Sequence, residues 1–374
     1  MINNTQKTSS KWQVKKLGDV CESLDNKRIP ISREKREFGS IPYYGATGIV
    51  DHVKDYIFDE KLLLVGEDGA DWSSNANTAY LINGKSWVNN HAHVLRCTKI
   101  NDVFLKEYLN YQDFSDLVGG STRGKLTKGD LEKILVPFPS LDTQQKIASI
   151  LSTIDQAIQK TNQIIEKTEK LKRGVMQNVL GFKNKENMRY LALRDVGKVS
   201  MCKRIFKNET SNTGDIPFYK IGTFGKEPDS FISQGLYDSY RNRFSFPKIG
   251  DVLLSASGTI GRKVKYDGRP AYFQDSNIIW LEHDESKILN DFLFYLFDTI
   301  TWQTEGSTIK RLYNEILLKK VISVPSIKQQ EQIIMVLSTV DRKISLSEKS
   351  KERLTLLKSG LMNDIFSQKM EVKF

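Results

Sequence analysis

The sequence predicts an α+β protein: two mixed α/β globules separated by a two-helix antiparallel coiled coil, the whole built as a pseudo-twofold internal duplication. Three observations predict it. A block near the middle of the chain recurs near its end at a fixed offset. Each copy opens a long run free of Gly and Pro, with apolar residues spaced as in a coiled coil. Each copy is also preceded by a longer stretch of short β-rich runs, broken by Gly, Asn and Asp turns.

The duplication is read residue by residue. Pro139-Ser-Leu-Asp-Thr-Gln-Gln-Lys-Ile147 matches Pro325-Ser-Ile-Lys-Gln-Gln-Glu-Gln-Ile333, and Leu151-Ser-Thr-Ile-Asp155 matches Leu337-Ser-Thr-Val-Asp341, both 186 positions apart. The offset persists in Leu171-Lys-Arg-Gly-Val-Met176 against Leu357-Lys-Ser-Gly-Leu-Met362, and in Gly120-Ser-Thr122 against Gly306-Ser-Thr308. Upstream, Ile41-Pro-Tyr-Tyr44 resembles Ile216-Pro-Phe-Tyr219 at an offset of 175, so the first parts differ by insertions. The expected domains are 1–138, a central repeat helix in 139–182, 183–324, and a terminal repeat helix in 325–374.

Each repeat helix follows from what is missing as much as from what is present. Asp142 to Arg173 and Lys328 to Ser359 are runs of 32 residues without Gly or Pro, about 48 Å of helix at 1.5 Å per residue. The first seam runs through Ile147, Leu151, Ile154, Ile158, Ile165 and Val175, on to Val179. The second runs through Ile333, Leu337, Val340, Ile344, Leu354 and Leu361, on to Ile365. Steps of four and three average 3.5, the period that keeps one stripe facing a partner helix. An amphipathic helix lying on its own domain has a similar pattern. Two matched seams joined through a full domain favour an antiparallel pair.

The regions before the helices carry runs such as Lys61-Leu-Leu-Leu-Val65, His93-Val-Leu95, Asp251-Val-Leu-Leu254 and Ile278-Ile-Trp-Leu281, followed by apolar helical stretches at Val103–Leu117 and Leu289–Trp302. Each reads as an α/β globule on a curved, mixed or antiparallel sheet.

Composition limits what the globules do. The 374 residues hold 56 Lys+Arg against 45 Asp+Glu, a net charge of +11. The excess is shared, with 27 basic and 23 acidic residues in 1–187 and 29 and 22 in 188–374. A positive balance in both halves points to an acidic partner, nucleic acid above all. No run of about 18 apolar residues occurs and the first dozen residues are polar, so no membrane is expected and the expected location is the cytoplasm. Three scattered cysteines, Cys21, Cys97 and Cys202, offer no disulfide framework and default to core positions.

Motif by motif, chemistry fails to appear. Gly119-Gly-Ser-Thr-Arg-Gly-Lys-Leu126 nearly spells a phosphate-binding loop, but Leu126 stands where Ser or Thr must reach magnesium. What both copies keep is a Gly-Ser-Thr turn followed by cations: Ser121, Thr122, Arg123 and Lys125 in one, Ser307, Thr308, Lys310 and Arg311 in the other. Small hydroxyls, free N–H groups and adjacent cations suit DNA phosphates; a plain polar turn is the alternative. The Ser255–Lys263 turn reads first as a β-turn lining the sheet, with Arg262 and Lys263 as candidate phosphate contacts. Tyr43, Tyr44, Tyr219 and Lys220 are further aromatic or basic DNA candidates. Asn89-Asn-His-Ala-His93 sets two histidines two apart, with no acidic or Cys partner at metal-ligand spacing and no His in the second copy, so no metal site is expected. Asp275, Glu285 and Lys287 could form a magnesium-dependent nuclease set, the enzymatic alternative. No Pro-Pro pair occurs among the nine prolines, which removes the Pro-Pro-aromatic grip that amino-methyltransferases use on a flipped base. A coiled-coil scaffold with incidental charge is the third reading.

These features together resemble the specificity subunit of type I restriction-modification systems. The resemblance covers nearly the whole chain and rests on the duplicated blocks at 139–176 and 325–362, the two Gly-Ser-Thr turns and Asn89–His93. It implies that each variable part is a target-recognition domain and that the repeat helices form the coiled coil between them. It further implies a non-catalytic protein that reads a bipartite, asymmetric double-stranded DNA site, one half per domain. Two methyltransferase subunits would dock on it, with restriction subunits in the full complex. S-adenosylmethionine, ATP and magnesium would belong to those partners, leaving this chain without a cofactor. On that reading the helices act as a ruler between half-sites about one or more turns of 34–36 Å apart.

Overall fold

The repeated blocks become two helices of equal length, Leu141–Leu180 (the central helix) and Ile327–Phe366 (the terminal helix), each of 40 residues. The computed structural model describes residues 12–118, 124–180, 189–302 and 312–369. Both helices run past the glycines taken as limits in sequence: Gly174 and Gly360 lie inside them, and a Cβ at either would meet nothing within 4 Å. A helical Gly costs only about 1 kcal/mol relative to Ala, which the flanking turns absorb.

The start of each helix explains the repeated Pro-Ser-x-x-x-Gln signature. Gln144 is fully buried; its Oε1 accepts from the Asn101 N–H at 2.8 Å and its Nε2 donates to the Pro139 carbonyl at 2.9 Å. Gln330 repeats this, accepting from the Leu289 N–H at 2.8 Å and donating to the carbonyls of Pro325 and Lys287 at 3.0 Å each. A buried amide is tolerated only when its donors and acceptor are matched, so the glutamine at that position is dictated in both copies. Ser326 and Gln329 add a capping box, the Ser326 N–H donating to Gln329 Oε1 at 3.0 Å and the Gln329 N–H to Ser326 Oγ at 3.4 Å.

The chain divides into two compact units, one made of Met1–Gln163 with Ser347–Phe374, the other of Ile164–Leu346. Each unit therefore owns one half of each long helix. In unit 1, the strands Cys21–Ser23, Ala92–Cys97, Leu62–Gly66 and Ala79–Ile82 pair antiparallel in that order. A second sheet orders Gly48–Val53, Phe38–Gly45, Lys85–Val88 and Phe58–Asp59, with its middle pair parallel. Unit 2 repeats the scheme with the antiparallel order Gly197–Ser200, Ile278–His283, Val252–Ser255, Lys263–Lys265. Its smaller sheet orders Phe231–Ile232, Ile216–Tyr219 and Tyr272–Phe273. Among the described residues each unit thus has two main sheets where one curved sheet was expected. A two-strand clasp closes each unit at its helix: Gln13–Lys16 with Leu135–Phe138, and Arg189–Ala192 with Val321–Val324.

Apolar packing ties each helix half to its own unit. Ile147, Ala148 and Leu151 share a buried cluster with Met362 and Ile365 in unit 1, where Phe366 meets Phe104, Tyr108 and Tyr111 at 5.3–5.7 Å. Met176 and Leu337 share the corresponding cluster in unit 2. Among the seam residues Ile147, Leu151, Ile154 and Leu337 are buried, whereas Ile158, Ile165, Val175, Ile333, Val340, Ile344, Leu354 and Leu361 are half-buried. Among the described residues no helix is long and apolar enough to cross a membrane.

Candidate nucleic-acid interface

Whether a cation can meet a phosphate depends on whether the fold already holds its charge. Of the first Gly-Ser-Thr turn, Ser121, Thr122 and Arg123 lie outside the described residues, as do Ser307, Thr308, Lys310 and Arg311 of the second. Lys125 is described: its backbone bridges to Asp68 and its Nζ lies 2.8 Å from Glu67 Oε1. Burial pushes the Glu67 carboxyl up, but hydrogen bonds from Lys125 and Arg28 outweigh that and hold it below the usual range. The same contact raises Lys125.

Behind this pair lies a network that spacing did not show. His93, 1% exposed, faces Asp25 Oδ2 with Nδ1 at 2.6 Å and the Leu126 carbonyl with Nε2 at 2.8 Å. Arg28 pairs with Glu67 and donates to the Ala92 carbonyl at 2.8 Å. Asp25 also accepts from the Val94 N–H at 2.8 Å; burial raises its carboxyl, and the His93 and Val94 hydrogen bonds together bring it below the ordinary value. The donor atoms of Asp25, Glu67 and His93 lie within 4.8 Å of one another, so acidic partners for this histidine exist after all. Both its ring nitrogens are engaged, however, and Arg28 and Lys125 already neutralise Glu67, which makes the cluster an internal ion-pair network. His91 is not a second donor on the same face: it precedes the strand and pairs with Asp68 at 2.6 Å.

The remaining described candidates are also engaged. Lys263 is nearly buried, with Asp298 at 2.5 Å and the Phe294 ring 3.9 Å from Nζ; burial lowers its pKa against the opposing pull of Asp298. Arg262 donates to the Phe224 carbonyl at 3.0 Å, and Lys220 pairs with Asp229 at 2.9 Å. Tyr43 is 1% exposed, its hydroxyl accepting from the Ile31 N–H at 3.1 Å. Tyr44 is half-buried against Tyr80, and Tyr219 stacks on Phe273 at 5.9 Å.

The nuclease alternative does not assemble. Asp275 precedes and Glu285 follows the six-residue strand Ile278–His283, which at about 3.3 Å per residue separates them by roughly 20 Å, far beyond a shared magnesium. Asp275 pairs instead with Arg204 at 2.9 Å, and Lys287 with Asp284 at 3.7 Å.

Sequence reading also missed a thiol pair and a helix. Cys21 and Cys97 face each other across neighbouring strands with sulfurs 3.7 Å apart. Helix Gln234–Arg243 is capped by Ser233, whose side chain accepts from the Leu236 N–H at 3.3 Å, and is pinned by buried Tyr237. Its signal was present in Ser233 followed by apolar Leu236, Tyr237 and Tyr240, ending in Arg-Asn-Arg.

Comparison with known proteins agrees with this two-unit design. The family described as "Type I restriction modification DNA specificity domain" matches twice, at residues 9–170 and 185–356. A putative type I restriction enzyme specificity subunit of Haemophilus influenzae is 41% identical, over 88% of this chain and 87% of its own length. The MjaVIII specificity subunit of Methanocaldococcus jannaschii is 25% identical over 97% of this chain and 93% of its own. In fold, the chain is similar to the S subunit of a type I system from M. genitalium, with a TM-score of 0.67, 16% identity and 98% of each chain covered. With the family matched in both units and across most of the sequence, this chain belongs to the DNA specificity subunits of type I restriction-modification systems.

Proposed function

We propose that the chain reads a bipartite, asymmetric DNA site, one half-site per unit, and serves as the docking platform for two methyltransferase subunits, joined by restriction subunits in the full complex. As a specificity subunit it recognises DNA and performs no chemistry itself. S-adenosylmethionine, ATP and magnesium fall to the partners. The observation that carries the bipartite reading is the duplication itself: two units of one plan, each on half of the same two helices, yet with different surface side chains. Repeated scaffold keeps geometry constant while divergent surfaces read different bases. The Gly-Ser-Thr turns with Ser121, Thr122, Arg123, Ser307, Thr308, Lys310 and Arg311 belong to the proposed phosphate-contacting set, with Lys125 held back by Glu67 and the helices setting the gap between half-sites.

The test is mapping of methylated positions across a host genome with and without this chain, its methyltransferase partner present in both. A two-part motif that appears only with the chain supports the reading. A motif with one part, or methylation independent of the chain, overturns it.

A further inference from the structure

The described candidate cations are held by carboxylates, carbonyls or burial, so exposed cations without such partners are informative. In unit 2, Lys203, Lys207, Arg241 and Arg243 are exposed, and among the described residues none has a carboxylate within ion-pair distance. Lys203, Arg241 and Arg243 lie beside two rings two positions apart in the chain, and Lys207 follows Lys203 by four positions. Lys203 Nζ lies 5.3 Å from the centroid of the Phe244 ring and Arg243 Cζ lies 5.5 Å from it, while Arg241 stacks 5.6 Å from Phe246. Two like charges gathered over one ring repel each other at roughly 332/(εr) kcal/mol, a cost that an anion between them reverses.

The scaffold beneath is closely packed. Tyr237, Cys202 and Ile205 are buried in one cluster, Tyr240 meets Phe244 edge-on at 5.2 Å, and the Tyr272 hydroxyl donates to the Lys203 carbonyl at 3.0 Å. The arginines also suit the negative end of their helix, but that does not account for Lys203 and Lys207, which come from a separate segment. Asn242, exposed between the two arginines, has the paired donor and acceptor that match an adenine edge. No corresponding helix stands in unit 1 between its Gly48–Val53 and Leu62–Gly66 strands.

We propose that this face, formed by the last turn of helix Gln234–Arg243, Phe244 and the segment carrying Lys203 and Lys207, is where unit 2 grips its double-stranded DNA half-site. The four cations hold phosphates and Asn242 reads a base edge. The inference rests on the DNA-recognition reading and names the surface that performs it in one unit.

The experiment uses the full chain, with binding to double-stranded DNA followed by fluorescence anisotropy across salt and the preferred sequences selected from a random pool. R241Q/R243Q and, separately, K203Q/K207Q are expected to weaken binding at least tenfold. Each should also reduce the slope of log affinity against log salt by about two, near 0.9 per lost phosphate contact. N242A is expected to relax one position in one half of the selected motif, leaving the other half intact. The control is K198Q/K265Q, which removes two exposed cations already paired with Glu282 and Asp291. The proposal is overturned by an unchanged slope in both test pairs at unchanged melting temperature, or by an equal loss in the control. Failure of the underlying reading looks different: the unaltered chain itself would show no salt-dependent binding and select no motif.

Discussion

Asp155 Oδ1 and Lys358 Nζ lie 2.6 Å apart, and the same pair recurs with its partners exchanged between helices, Lys172 Nζ lying 2.7 Å from Asp341 Oδ1. Each residue maps onto its counterpart by the 186-position offset, so one ion pair closes both helix halves antiparallel. The surroundings differ. In unit 1, fully buried Glu107 also meets Lys358 at 2.9 Å and pairs with Lys106, while in unit 2 the Tyr295 hydroxyl donates to Asp341 at 2.9 Å. Lys358→Met therefore leaves a fully buried carboxylate with Lys106 as its one remaining cation and is expected to cost about 3 kcal/mol, whereas Lys172→Met leaves only a half-exposed aspartate and should cost about 1 kcal/mol. Urea unfolding of both variants checks this; equal losses contradict it.

Acid should loosen unit 1 through the same chemistry. Burial raises the Asp25, Glu67 and Asp155 carboxyls, but hydrogen bonds from His93 and Val94, from Lys125 and Arg28, and from Lys358 respectively leave each below its unfolded value. Depressed carboxyls contribute stability that is complete above their unfolded pKa values, near 4, and is lost as pH falls toward the folded ones. Stability measured from pH 7 to pH 3 is expected to drop below about pH 4, and Asp25→Asn should flatten that drop while lowering stability at neutral pH. A variant with the same acid slope as the parent would refute the assignment.

Gln144 and Gln330 each join three chain segments, since the chain just after the preceding strand, the long helix and the residue ahead of an earlier helix (Asp102–Tyr111 or Asn290–Leu296) meet at one amide. Replacement by Ala leaves a buried N–H and carbonyl unpaired, at about 1–3 kcal/mol per group. Both Q144A and Q330A should lower the melting temperature by several degrees and raise amide exchange at Asn101 and Leu289 respectively. Protection unchanged at those amides would show that the latch is dispensable.

The Cys21–Cys97 pair occupies a position without direct backbone hydrogen bonds. The Thr98 N–H donates to the Val20 carbonyl and the Leu24 N–H to that of Val94, so alternate pairs are bonded and this one lies between them, where Cα atoms approach to about 4.5 Å. That spacing accommodates a disulfide. The shared hydrogen bond with Cys97, and then burial, push the Cys21 thiol well up, so closure should need a strong two-electron oxidant. With diamide, the two thiols lose two hydrogens to the azo bond, giving one disulfide and a hydrazine. Two of the three thiols should disappear together with a mass loss of about 2 Da, Cys202 remaining reduced in its buried site. The new link should add roughly 4 kcal/mol of stability, because it closes a long loop in the unfolded chain. Continued maleimide labelling of Cys97 after treatment would rule the closure out.

Lys263 separates a buried cation from a DNA contact. Its ammonium is held by Asp298 and by the Phe294 carbonyl, so Lys263→Gln should lower unfolding free energy by about 1–3 kcal/mol. DNA affinity should change less than twofold. A large, salt-dependent affinity loss with intact stability would restore it to the interface.

The duplication, the two long helices and their antiparallel pairing were legible in the sequence because they rest on local rules: period, Gly and Pro placement, and recurrence of one unit. The family followed from the same repeats. Charge partners were not legible. His93 and Asp25 stand 68 positions apart, Glu67 and Lys125 58, Cys21 and Cys97 76, and no spacing rule announces contacts that sheet pairing creates. The candidate interface suffers the same limit, since Lys125, Lys220 and Lys263 look alike in sequence to Lys203 and Lys207, yet a carboxylate reaches only the first three. Sequence alone determined that two copies of one helix-bearing unit carry this protein's positive charge. Only the tertiary structure decided which charges are neutralised inside and which face outward, because ion pairing depends on distances of a few ångströms between segments far apart in the chain.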